Sequence, residues 1–87
     1  MKFDDTAVSR SGRFSIGIAT PSGKYYISIP VRNRMVDYEE YYEIDALTYE
    51  EITANLESGI GLADKCRKRQ MDEQLIVQPG SDRGVPS

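Results

Sequence analysis

From Phe14 to Ala19 the chain alternates: Phe14, Ile16 and Ile18 fall on one side, with small or polar residues between them. A period of two marks a strand with one buried face, because successive strand side chains point to opposite sides. The run ends at Thr20-Pro21-Ser22-Gly23. There Pro presets a turn angle and Gly tolerates the left-handed region. Alternation resumes through Tyr25, Ile27, Ile29 and Val31, and two such runs across a Pro-Gly turn predict a hairpin. Pro30 has no amide hydrogen for a ladder, so the second strand is expected to have a free edge near its end. A loop over Arg32-Asn33-Arg34 leads to a third predicted strand, Met35 to Ile44. Its two faces differ. Val36, Tyr38, Glu40, Tyr42 and Ile44 share the face expected to pack, while Asp37, Glu39, Tyr41 and Glu43 face water or a partner. Met1 to Val8 is a candidate edge strand.

The period then changes. Thr48 and Glu51 have capping-box spacing, and Leu47 and Ile52 stand where a hydrophobic staple would close. A helix is therefore expected from Thr48, with Ile52 and Leu56 buried. It should break at Ser58-Gly59, since glycine costs about 1 kcal/mol inside a helix. A second helix is predicted over about 60–70, with Leu62, Ala63 and Cys66 inward. The cations Lys65, Arg67, Lys68 and Arg69 lie toward its carboxyl end, where they complement the helix dipole. Leu75-Ile76-Val77 reads as a short strand ended by Pro79-Gly80. The sum is one α+β domain over residues 1–80, ordered β-β-β-α-α-β, with an antiparallel sheet covered on one face by two helices. Ser81 to Ser87 is expected to be a flexible polar tail.

A chain of 87 residues has room for one such domain and little for a deep cofactor pocket. Its single cysteine, Cys66, excludes an internal disulfide and suits a reducing compartment. No apolar run approaches membrane-spanning length. The stretch Met1 to Arg10 carries Asp4 and Asp5 and lacks a signal-peptide core. These points lead us to expect a cytoplasmic protein with no membrane contact. The net charge is only −3, but its distribution is uneven. Between Met35 and Asp64 there is no Lys or Arg, and nine carboxylates stand there: Asp37, Glu39, Glu40, Glu43, Asp45, Glu50, Glu51, Glu57 and Asp64. An acidic middle between basic ends is a field that steers basic partners.

The chain has no histidine, which removes the commonest general base and metal ligand. Cys66 is expected to be a small buried hydrophobe. One cysteine without histidine cannot build a zinc site. Gly59-Ile60-Gly61 lacks the strand before it and the Lys-Ser/Thr after it that a phosphate loop needs. Asp37, Glu39, Glu40 and Glu43 lack EF-hand spacing and a cleft for a two-carboxylate hydrolase. No enzyme, cofactor or metal is expected. Tyr38, Tyr41, Tyr42 and Tyr49 lie inside the acidic stretch, and tyrosine gives large contact area at low entropy cost. An acidic, tyrosine-rich docking surface is thus one reading, and a solvated acidic face with half the tyrosines in the core is the other. Lys65 to Arg69, with Arg83, is a short basic run in an acidic chain, which argues against nucleic acid.

From about Tyr41 onward the chain resembles small bacterial immunity proteins of contact-dependent growth inhibition and related toxin systems. The resemblance rests on Tyr41-Tyr42-Glu43-Ile44, Thr48-Tyr49-Glu50-Glu51, Ala63-Asp64-Lys65-Cys66-Arg67 and Leu75-Ile76-Val77-Gln78-Pro79-Gly80-Ser81-Asp82-Arg83-Gly84. It implies a cytoplasmic inhibitor that binds a cognate toxin domain, commonly a nuclease with a basic groove. On that reading Asp37, Glu39, Tyr41, Glu43, Asp45, Tyr49 and Glu50 are the expected partner-binding residues. The alternatives are a small regulatory or adaptor module binding nucleic acid or protein, a carboxylate hydrolase, and a homodimer joined at the sheet edge.

Overall fold

The computed structural model describes residues 1–32, 37–78 and 83–86. Four antiparallel strands follow one another in space as in sequence: β1 Lys2–Ser9, β2 Phe14–Thr20, β3 Lys24–Arg32 and β4 Asp37–Ile44. Helix α1 spans Ala46–Ala54, a 3₁₀ turn Leu56–Gly59 leads into α2 over Ile60–Arg67, and a second 3₁₀ turn covers Asp72–Gln74. A two-residue strand, β5 Val85–Pro86, pairs with β3. The α+β class, the antiparallel sheet and the two helices on one face are as the alternation and capping signals predicted.

The β2–β3 hairpin closes with the Gly23 amide donating to the Ala19 carbonyl at 2.7 Å. Gly23 has φ of 76°, the left-handed value this turn requires. Register follows burial. Phe14, Ile16, Ile27, Ile29, Val31, Tyr42 and Ile44 line the inner face of the sheet, and Ile52 of α1 with Ala63 and Cys66 of α2 close over them. Burying a side chain of this size contributes about 1.5–3 kcal/mol, so this one layer is the main source of stability.

The candidate edge strand at the amino end forms: β1, Lys2–Ser9, pairs along β2 with a bulge between Asp5 and Ala7. The bulge aims Thr6 at the helix layer, where its hydroxyl shares a 2.6 Å hydrogen bond with the Tyr49 hydroxyl. Other expectations need correction. α1 starts at Ala46, two residues early, because Asp45 leaves β4 in extended conformation and accepts from the Thr48 amide at 2.8 Å. Asp outranks Thr as an N-cap, so Thr48 is helical and Leu47 is left 65 % exposed, outside any staple. Leu75-Ile76-Val77 is not a strand. Leu75 makes one bridge to Tyr42, and Val77 is already 55 % exposed, so no alternation is sustained.

The described part of the expected tail is docked instead. Gly84 donates to the Tyr38 hydroxyl at 2.8 Å, Arg83 enters a buried ion cluster, and β5 continues along β3 at Val31 and Arg32, beyond the last β2 pair at Ser28. Along that edge Pro30 falls between those two pairings, and on its other side it stands opposite Glu39 of β4. Asn33, Arg34 and the expected strand start at Met35 and Val36 lie outside the described residues, as do Pro79-Gly80, Ser81, Asp82 and Ser87.

Candidate partner-docking surface

The helices cover one face of the sheet and leave the other bare. On the bare face Tyr26 of β3 lies across Gly17 of β2, its partner in register. A Cβ at Gly17 would stand 2.5 Å from the Tyr26 hydroxyl, so only glycine permits this close approach. The Tyr26 hydroxyl donates to Asp5 Oδ1 at 2.6 Å. Phe3 of β1 and Tyr41 of β4 each meet the Tyr26 ring edge-on, and stack on each other with centroids 3.7 Å apart and planes at 11°. The three rings form a small second core: Tyr26 is fully buried although no helix covers it, and Phe3 and Tyr41 are half-buried. Burial, then the neighbouring Glu39 and Asp5 charges, push the Tyr41 phenol up.

Carboxylates surround these rings. Glu39 accepts from the Ser28 hydroxyl at 3.2 Å. Lost hydration raises its carboxyl; the Ser28 bond lowers it in part, and nearby Asp5 adds to the rise. Glu43 stands 3.5 Å from Lys24, and Asp37 stands 3.0 Å from Arg32. Both pairs are largely exposed, and such pairs contribute no more than about 1 kcal/mol. Round the edge of β4 the surface runs into a groove of about 440 Å³ lined by Glu43, Ile44, Asp45, Thr48, Leu62 and Met71. Glu43 belongs to both parts.

The structure therefore divides the expected binding residues. Asp37, Glu39, Tyr41 and Glu43 share the bare face, and Asp45 reaches the same surface through the groove while capping α1. Hydrogen bonds from Thr48 hold the Asp45 carboxyl below its usual value. Tyr49 turns inward onto Tyr25, with ring centroids 4.4 Å apart, and Glu50 sits on α1, in the layer behind the sheet. Phe3 and Asp5 were not among the expected residues. Only the β1–β2 register brings them beside Tyr41. Comparison with family models, characterised proteins and solved structures finds no match to this chain. Its chemistry therefore has to be read from its own geometry.

Other charged groups face inward. Glu40 is 4 % exposed. It accepts from the Tyr42 hydroxyl at 2.8 Å, from Arg69 at 2.8 Å and from Arg83 Nε at 2.7 Å. Arg83 also makes two bonds to Asp72, at 2.8 and 2.9 Å. Burial opposes ionisation of Glu40, but the bonds from Arg83 and Tyr42 and the two cations together bring its carboxyl below the usual range. Arg67 donates to the carbonyls of Gly12 and Arg13. Of the basic run, Arg67 and Arg69 are thus held by the fold, and Lys65 and Lys68 are its exposed cations. No helix among the described residues is long and apolar enough to cross a membrane.

Cys66 is fully buried in the core, and burial pushes its thiol up to about 12. A thiol needs its thiolate form to react. Ellman's reagent at pH 8 is expected to leave the native protein unmodified and to titrate one thiol after unfolding in guanidinium. Fast modification of the native protein would show that α2 opens readily.

Proposed function

We propose that this protein is an immunity-type inhibitor that binds a basic toxin domain through the bare face of its sheet. The observation that carries this reading is the stacked Phe3–Tyr41 pair standing helix-free among Asp5, Glu39 and Glu43. Aromatic rings seated on a rigid sheet offer contact area with little ordering cost, and a guanidinium stacks well on such rings. Carboxylates beside them accept charge-assisted hydrogen bonds from the same group. The strand residues of this face hold four carboxylates, Asp5, Asp37, Glu39 and Glu43, against two cations, Lys24 and Arg32. Exposed Glu50, Glu51 and Glu57 on the helix side extend the negative field that speeds encounter with a cation-rich partner.

On this reading the protein acts in the cytoplasm of the toxin-bearing bacterium. It works by occupying a surface, which requires no catalytic group. The direct test is calorimetric titration against the toxin domain encoded beside it, at low and at high salt. One-to-one binding that suppresses toxin activity and weakens as salt rises is the expected result, because exposed charge pairs are screened. Affinity unchanged by salt would refute an electrostatic interface. Full toxin activity in the presence of excess protein would refute the inhibitor role.

A further inference from the structure

At the end of the bare face remote from Phe3, the charge reverses. The β1–β2 turn carries Arg10 and Arg13, and a groove of about 330 Å³ opens there between Val8, Phe14, Pro30 and Glu39, with both arginines on its rim. Both residues are exposed, and neither guanidinium has a hydrogen-bond or ion-pair partner among the described residues. Val8 is 57 % exposed, an apolar side chain facing water beside two unmatched cations.

The turn that presents them is braced from beneath. Ser9 Oγ accepts from the Gly12 amide at 3.0 Å, and Arg67, reaching across from α2, donates to the Gly12 carbonyl at 2.7 Å and to the Arg13 carbonyl. Gly12 is packed so closely on Phe14 that a Cβ there would lie 2.6 Å from the ring. Arg13 has φ of 54°, a region that residues other than glycine seldom adopt. A strained, non-glycine residue at a surface turn, its carbonyl held by Arg67 of α2, is the kind of outlier that points toward function. The brace fixes the turn and leaves both guanidinium forks free.

We propose that this groove is a second docking point, which takes an extended protein segment alternating apolar and acidic side chains, with its carboxylates on Arg10 and Arg13. Paired guanidiniums on a rigid turn suit bidentate carboxylate recognition, and Val8 and Pro30 supply the apolar floor between them. Glu39, at the sheet end of the groove, repels a further carboxylate. It selects a segment whose far end offers an amide or a cation, and so sets the direction in which the segment lies. This site goes beyond the acidic face: its charge is opposite, and it stands whether or not that face binds a toxin.

The test uses an acetylated, amidated hexapeptide in which two aspartates alternate with isoleucines and a lysine closes one end. Amide shifts of the isotope-labelled protein are followed during titration. Saturable shifts centred on Val8, Arg10, Gly12, Arg13 and Ser15 are expected. Roughly tenfold weaker binding is expected in the Arg10→Ser/Arg13→Asn variant, since asparagine tolerates the positive φ at position 13. Arg10→Ser alone, outside the strained position, gives the same direction of change if the double variant folds poorly. Equal affinity in these variants, shifts centred elsewhere, or no saturation at millimolar peptide would overturn the proposal. So would inorganic phosphate producing the same shifts at the same concentration, which would reduce the groove to a simple anion site. Glu43→Lys protein, altered on the acidic face and outside the groove, keeps the arginine-dependent shifts if the two surfaces are separate.

Discussion

Replacing Glu40 with alanine is expected to lower the unfolding free energy by about 2–4 kcal/mol, and the melting temperature by roughly 10–30 °C for a domain of this size. The Glu40 side chain is 3 % exposed, and it lies between Arg69 and Arg83. Removing it leaves two guanidiniums facing each other and the Tyr42 hydroxyl with only the long 3.5 Å bond to the Cys66 carbonyl. Breaking a fully buried pair costs about 3–5 kcal/mol. The lower figure applies here because Arg69 and Arg83 keep 29 % and 22 % of their side chains exposed, where water offsets part of the loss. Arg83→Ala should act through the same cluster, also freeing Asp72 and the segment that carries β5. The double variant should therefore lose less than the sum of the two single losses. Strictly additive losses, or a Glu40→Ala loss under about 1 kcal/mol, would show that the cluster is not a unit.

The same cluster sets an acid limit. The Glu40 and Asp72 carboxyls both lie below their ordinary values in the folded protein, Glu40 despite its burial and Asp72 chiefly through the Arg83 bonds. The unfolded chain therefore takes up more protons in the acid range. The cluster's contribution is fully present above the unfolded values near pH 4, and it is lost as pH falls through the folded values. Chemical denaturation followed from pH 7 down to pH 2 should show Glu40→Ala losing its disadvantage relative to the parent protein at the acid end.

The second large effect concerns binding. Glu39→Lys/Glu43→Lys is expected to weaken partner affinity by roughly 100-fold, about 2.7 kcal/mol, mainly through repulsion of the partner's cations. The fold should tolerate it. The Glu43 side chain is 45 % exposed and its pairing with Lys24 is a surface contact, while Glu39 meets only the Ser28 hydroxyl among described neighbours. A melting temperature within a few degrees of the parent, combined with lost binding, would support the bare face as the interface. A large fall in stability would make these residues structural. Unchanged affinity would remove the face from the interface. The Glu39→Gln/Glu43→Gln variant should fall between the two, since it deletes charge without reversing it.

The local pattern showed which side chains of β4 would face together, because a period of two leaves no other arrangement. Asp37, Glu39, Tyr41 and Glu43 were legible as one row for that reason. The acidic stretch is less informative: nine carboxylates counted along the chain describe one field and not one surface. In three dimensions Glu40 is an internal anchor, Asp45 a helix cap, Asp64 a partner of Arg67, and Glu50 part of a different layer. Proximity in sequence cannot separate those roles, since each depends on which residues arrive from elsewhere in the chain. The placing of Tyr49 depends on distant residues in the same way: the β1 bulge that supplies its partner Thr6 is 43 residues away.

The tail shows the limit most plainly. Ser81 to Ser87 is polar and has no periodicity, so nothing local argues for order. Its described residues are docked because Arg83 finds Glu40, 43 residues earlier, and because β2 starts late enough to leave Val31 and Arg32 of β3 for β5. Alternation, capping residues and turn chemistry determine by themselves the α+β class, the hairpin, the two helices and the division of β4 into a packed and a bare face, because they act over a few residues. The aromatic cluster, the buried ion network, the docking of residues 83–86 and the braced arginine turn were decided only by tertiary structure, because each is made by strands and helices whose distant registers bring unlike charges and matching rings together.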